Sequence, residues 1–198
     1  MSRLPLTRGV VVAGLGRCGT SLVMQMLHAA GIPCHGRWPD FEVEEGFHGE
    51  GGMAVKWLNP HRDMAVKKPP GVAFYGVWMK RNYTDQAASH AKFLLQGTGL
   101  QMDRNARRAS VARFPKEEHM GAQSMNRICG QNGWGILQFQ FLLENPQTTA
   151  HMLCEILRLP ASTDTRKMAA QVVKRSPRLY PGSLEAELLE RGEGKSHG

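Results

Sequence analysis

Gly14, Arg17, Gly19, Thr20 and Ser21 stand close together near the start of the chain, and their types suit anion binding. Glycines let backbone N–H groups close on a phosphate, a hydroxyl adds a donor, and an arginine adds fixed positive charge. The nucleoside-triphosphate loop has the pattern G-x-x-x-x-G-K-[ST]. Gly14 and Gly19 keep its glycine spacing and Ser21 keeps its hydroxyl, but Thr20 takes the place of the lysine. That lysine is the usual cation for β- and γ-phosphates. Arg17 is the charge that remains inside the loop. The loop therefore suits one phosphate-like group plus a second anion better than it suits ATP.

Such residues work only when a strand and a helix hold them. Val10-Val11-Val12 is β-branched throughout and reads as a short buried strand. Leu22, Val23, Met26 and Leu27 share one face of a helix expected over Cys18 to Ala30, ended by Gly31 and Pro33. Further strands are expected at Ala54 to Leu58, Val72 to Met79 and Gly135 to Phe141. Helices are expected from Thr84, as N-cap, to about Leu95, from Arg104 to Arg113, from Lys116 to Cys129, after Asn145-Pro146, and from Asp164 to Lys174. The glycine-rich, acidic stretch 36–52 has no periodicity and reads as a substrate-facing or mobile segment. The alternation of strands and helices predicts an α/β fold. Its mostly parallel central sheet is flanked by helices in three layers, and the anion loop follows its first strand.

The 198 residues predict a single domain over 1–190 and a disordered tail over 191–198. A net charge of +8 favours anionic partners, with nucleotides and nucleic acids equally eligible. Cys18, Cys34, Cys129 and Cys154 are scattered and form no C-x-x-C pair. They read as reduced thiols of a cytoplasmic protein, not as a metal site or a disulfide framework. The early apolar run is broken by Arg17, so it reads as a strand, not a signal peptide or membrane span.

Arg81 follows the third expected strand, and Ser89 lies eight residues on, about two helical turns. Together with the loop they resemble a known family. Gly16-Arg17-Cys18-Gly19-Thr20-Ser21 resembles the 5′-phosphosulfate loop of the PAPS-dependent sulfotransferases, roughly P-[KR]-S-G-T-[ST]. The stretch from Trp78 to Ser89 resembles the same family's second motif, an arginine at a strand end and a serine eight positions later. A weaker echo of its late strand and helix opening runs from Gln138 to Pro146. The resemblance spans about residues 9–160. Leu22 departs from the tryptophan that many cytosolic members carry after the loop.

The resemblance implies an α/β fold and a sulfuryl transfer from PAPS to a hydroxyl or amine of a small-molecule or glycan acceptor, releasing PAP. It implies that Gly16, Arg17, Cys18, Gly19, Thr20 and Ser21 hold the 5′-phosphate and that Arg81 and Ser89 hold the 3′-phosphate. Arg17 would neutralise charge on the bridging oxygen. The proton acceptor is open among Glu44, Glu45, His35, His48 and His61. His61 is carried forward because it follows a strand end where the family often places its base, and Glu44 because some bacterial-type members use that segment. No metal, nucleic acid or membrane is implied. Two other readings stay open. One is a kinase or NTPase built on the same loop. The other is a nucleic-acid-binding protein using Arg104, Arg107, Arg108 and Arg113.

Overall fold

A computed structural model describes residues 4–42 and 47–173. Four parallel strands form the sheet: β1 (Arg8–Gly14), β2 (Ala54–Leu58), β3 (Ala73–Lys80) and β4 (Trp134–Gln138). Their order is β2-β1-β3-β4, so β1 lies inside the sheet with a neighbour on each side. Register pairs Val12 with Lys56 on one flank and with Val77 on the other.

Helices cover both faces, because each strand alternates its side chains between them. Val10, Val12, Val77, Met79 and Leu137 pack with α1 (Thr20–Ala29) and with residues of three later helices. Val11, Ala13, Val55, Trp57, Phe74 and Trp78 face α2 (Tyr83–Thr98) and α3 (Arg104–Cys129). The chain then runs through α4 (Phe139–Glu144), α5 (Pro146–Ile156) and α6 (Thr165–Val173). This is the expected three-layer α/β architecture.

The structure corrects two boundaries with a physical reason. The helices expected over Arg104 to Arg113 and Lys116 to Cys129 are one helix that runs through Pro115. Its buried residues Ser110, Phe114, Gly121, Ser124, Met125 and Ile128 form one uninterrupted stripe. Pro115 sits on the exposed side, where water can serve the carbonyl whose helical donor it removes. The strand expected to end at Phe141 ends at Gln138. Phe139, Leu142 and Leu143 are all packed on the core at helical spacing, and Gln140 donates to Glu144 one turn later at 2.7 Å. A short apolar run fits both periods, and burial on one side chose the helix.

Smaller shifts have local causes. Asn82, not Thr84, caps α2, its side-chain oxygen accepting from the N–H groups of Thr84 and Asp85. The stretch after α1 is anchored through residue 42: Gln25 donates to the Pro39 carbonyl at 2.8 Å and Phe41 is buried. Lys174, Glu44, Glu45 and the expected tail 191–198 lie outside the described residues. Among the described residues no helix is long and apolar enough to cross a membrane.

Candidate active site

Strand β1 ends at Gly14, and the chain turns over residues 15–19 before α1 begins. The turn is tight. A Cβ on Gly14 would stand 2.4 Å from the Cys18 sulfur and 2.8 Å from the Met79 carbonyl oxygen. Gly19 caps α1 at φ +98, a left-handed conformation, and a Cβ there would lie 2.3 Å from the Phe139 ring. Gly19→Ala should therefore cost about 2–4 kcal/mol from backbone strain plus overpacking. Urea denaturation measures it, and a loss under about 0.5 kcal/mol would show that the loop relaxes instead.

The loop is braced from three directions. Gly16 N–H donates to the Asn59 side-chain oxygen at 3.0 Å, and Asn59 N–H donates to the Gly14 carbonyl at 2.9 Å. Gln86, from α2, donates to the Gly16 carbonyl at 2.7 Å. Arg81, just past β3, donates to the Arg17 carbonyl at 3.3 Å and places its guanidinium 4.9 Å from the Phe139 ring centre. Arg17 itself has φ +69 and lays its guanidinium 4.8 Å from the Phe93 ring centre. A non-glycine residue in that conformation, its carbonyl bonded by Arg81 and its guanidinium against Phe93, marks a loop built for its shape.

The sequence reading did not assign Lys56 to the site. It lies on β2, 4% exposed, and its ammonium donates to Ser21 Oγ at 3.0 Å, the Asp40 carbonyl at 2.6 Å and Glu42 Oε1 at 3.1 Å. Burial pushes its pKa down, and the Glu42 carboxylate opposes that shift. The first turn of α1 lacks a lysine at Thr20, and a lysine from the neighbouring strand supplies a cation there instead. Arg17 is not the loop's sole fixed charge. The sequence signal was present: a lysine inside the otherwise apolar stretch Ala54-Val55-Lys56-Trp57-Leu58 needs buried partners.

A cavity of about 280 Å³ opens beside the loop. It is lined by Gly16, Arg17, Gly19, Thr20 and Ser21, by Asp40, Glu42 and Lys56, and by Leu58, Asn59, His90 and Phe93. That volume is at the lower edge for ligand sites, enough for the reacting end of a nucleotide and not for all of one.

Neither a protein-family model nor a curated protein matches the sequence. Solved structures do match in fold. The mouse sulfotransferase SULT7A1, complexed with PAP, matches at TM-score 0.54 and 12% identity over 84% of this chain. STF9 from Mycobacterium avium matches at 0.53 and 12% over 89%, covering 69% of its own chain. The sulfotransferase domain of the curacin biosynthetic pathway matches at 0.50 and 12% over 80%, covering 76% of its own. The fold is the sulfotransferase fold. The chain spans about 65% of the mouse protein's length.

Within this sulfotransferase fold the strand order gathers the expected residues. The loop after β1 lies between the ends of β2 and β3, so Arg17 and Arg81 meet although 64 residues separate them. Ser89 is buried on α2. Cys18 turns its side chain into the core, where burial pushes the thiol up to about 12, and it is not among the cavity's lining residues. Thr20 and Ser21 are buried in the first turn of α1.

The expected proton acceptors spread out. His61 sits on the 3-10 turn Pro60–Arg62 after β2, with Nε2 3.9 Å from Glu117, and it is not among the cavity's lining residues. His35 and His48 lie 6.3 Å apart, ring to ring. His35 N–H bonds the carbonyl of Ala54, the first residue of β2, at the opposite end of the strands from the loop. The imidazole that does line the cavity is His90, which sequence reasoning missed; its signal was the position next to Ser89. Arg104, Arg107 and Arg108 point away from the buried stripe of α3, and Arg113 pairs with Glu117 at 2.8 Å. Cys18, Cys34, Cys129 and Cys154 are free thiols. No cluster of metal-ligating side chains occurs among the described residues.

Proposed function

We propose that the chain transfers a sulfuryl group from PAPS to a hydroxyl or amine of a small-molecule or glycan acceptor. The observation that carries this is the charge at the sheet's C-terminal edge. Lys56 on β2, Arg17 in the loop and Arg81 past β3 converge there, and the residues that close β2, β3 and β4 are Asn59, Arg81 and Phe139. A magnesium-nucleotide enzyme needs a carboxylate at such an edge. The two carboxylates that line the cavity, Asp40 and Glu42, both stand beside the Lys56 ammonium, Glu42 as its ion-pair partner. That arrangement favours a polyanion bound by protein cations alone and argues against the kinase or NTPase reading.

In this reading the backbone N–H groups of Cys18, Gly19 and Thr20, at the N-terminus of α1, hold the 5′-phosphate. Arg17 and Lys56 stabilise the charge that grows on the bridging oxygen as the bond to sulfur breaks. Arg81 and Ser89 take the 3′-phosphate, for which a planar, forked guanidinium is well matched. PAP departs as a multiply charged anion.

Thermal shift tests it. At 100 times Kd a ligand of the folded state adds about 2.7 kcal/mol, or roughly 5–11 °C for a chain of this size. PAP should outperform ATP, ADP and AMP. Arg81→Ala should weaken PAP roughly 10- to 150-fold, one charge-assisted bond's worth, and leave AMP nearly unchanged. A larger shift with magnesium-ATP than with PAP would support the kinase alternative. Salt-sensitive RNA or DNA binding that PAP fails to compete would support the nucleic-acid alternative.

A further inference from the structure

Sulfuryl transfer requires a group to accept the nucleophile's proton, and resting on that reading we propose that His90 is this proton acceptor. The cavity beside the loop is lined by His90 and Phe93 of α2 together with Arg17, Ser21 and Lys56. Ser89, one residue earlier, turns inward, so His90 is held at a fixed azimuth on the helix. The reacting sulfur must sit within reach of both the loop's cations and the acceptor, and His90 borders the same cavity as those cations. Phe93, 36% exposed, gives an acceptor an apolar surface beside the imidazole.

The other groups in the cavity are already engaged. Glu42 pairs with Lys56, and the Asp40 carboxylate acts on the same ammonium, which also bonds the Asp40 carbonyl. Leu58 is apolar, and the Asn59 side chain accepts the Gly16 N–H. His61 faces Glu117 outside the cavity lining. Four charged groups act on His90: Arg17 from the loop, Arg62 from the 3-10 turn, and Arg113 and Glu117 from α3. Burial first, then the three arginines, push the imidazole below its ordinary pKa, while Glu117 opposes them. His90 is therefore neutral at pH 7, the form that can take a proton.

The step balances without another reactant. A lone pair of the acceptor oxygen forms the new bond to sulfur as the bond from sulfur to the bridging oxygen breaks. That electron pair leaves with PAP. The acceptor's proton passes to a ring nitrogen of His90, which later returns it to solvent.

The test uses the full chain, with PAPS and either water or 4-nitrophenol as acceptor, reading PAP release. His90→Gln and His90→Asn should lower the rate about 10²- to 10⁴-fold and leave the PAP-induced thermal shift within about 2 °C of the unsubstituted chain's. The unsubstituted chain should lose activity as pH falls through a pKa below 6.5, because protonated His90 cannot accept, and the variants should lose that acidic limb. A His90→Gln rate within threefold of the original, with the limb intact, overturns the assignment. So does loss of the PAP shift in both variants, which would make His90 a binding residue. An unsubstituted chain that PAP stabilises, yet that releases PAP from PAPS no faster than buffer with either acceptor, overturns it as well. A chain that PAP does not stabilise at all overturns the sulfuryl-transfer reading beneath it.

Discussion

Lys56→Met should change stability by no more than about 2 kcal/mol in either direction and still cut turnover about 10²- to 10³-fold. The two effects separate because one side chain sits under two opposed demands. Its ammonium is 4% exposed, and burial outweighs the Glu42 carboxylate in setting its pKa below the ordinary 10.5. A charge in that position costs folding free energy, and apolar replacements of buried charges are commonly neutral or stabilising. Methionine fills nearly the same volume. Ser21 and the Asp40 carbonyl each lose a donor, at about 1 kcal/mol apiece, so the net change lies within about 2 kcal/mol of zero in either direction. Glu42 suffers little, since its side chain is 64% exposed.

The pH dependence gives that explanation its own check. A folded-state pKa below the unfolded one means the unfolded chain holds the Lys56 proton more tightly. The cost of burial is full below the folded pKa and fades as pH rises toward 10.5. The parent should gain stability relative to the variant over that same interval. Turnover, by contrast, loses one preorganised cation, about 2.7–4 kcal/mol of barrier. A variant that melts more than about 8 °C lower, with turnover intact, would assign Lys56 to structure instead.

Much of the frame was legible because short-range chemistry set it. Ala54–Leu58 was read to the residue, and β3 to within one residue at each end. Both segments are short, carry valine and tryptophan and start just after a glycine, and length, flanks and such residues decide for a strand where periodicity alone does not. The junctions failed where two local rules agreed against a long-range one. Pro115 favoured two helices, yet Trp78 and its neighbours needed a continuous cover from Phe114 to Ile128, and burial won. Phe139 alternates like a strand residue, but it packs against Gly19 of a loop 120 positions earlier, a contact no window of sequence contains.

The site followed the same division. Arg17, Gly19 and Ser21 lie within one turn and could be read together. Lys56 and His90 could not be joined to them until the strand order was known. Placing β1 between β2 and β3 brings residue 56 and residue 81 to opposite flanks of one loop. This is the crevice that parallel sheets offer at the carboxyl ends of their strands. A lysine inside a strand is a costly choice for folding alone, and its cost becomes intelligible only once the loop's missing lysine is set beside it.

Arg17→Ala should reduce turnover about 10²- to 10³-fold with little change in stability. Residue 17 holds φ +69, and alanine pays the same left-handed penalty as arginine, so the backbone strain cancels between parent and variant. The braces are also retained, because Arg81 bonds the residue 17 carbonyl and Gln86 the Gly16 carbonyl, neither of which the substitution removes. What disappears is the guanidinium and its contact with the Phe93 ring, worth about 0.5–1 kcal/mol at a partly exposed position. Arg17→Gly separates the contributions further. It relieves the strained φ yet removes the same charge, so its turnover should match the alanine variant while its loop becomes easier to open. Arg17→Lys restores a point charge without the fork and should recover only part of the rate. Single-turnover PAP release from PAPS measures all three. Because the braces persist, the PAP-induced thermal shift should fall far less in Arg17→Ala than in Arg81→Ala. The reverse order, with Arg17→Ala close to full speed at saturating PAPS but with most of the PAP-induced shift lost, would show that Arg17 anchors the nucleotide and that Lys56 alone meets the charge developed in the reaction.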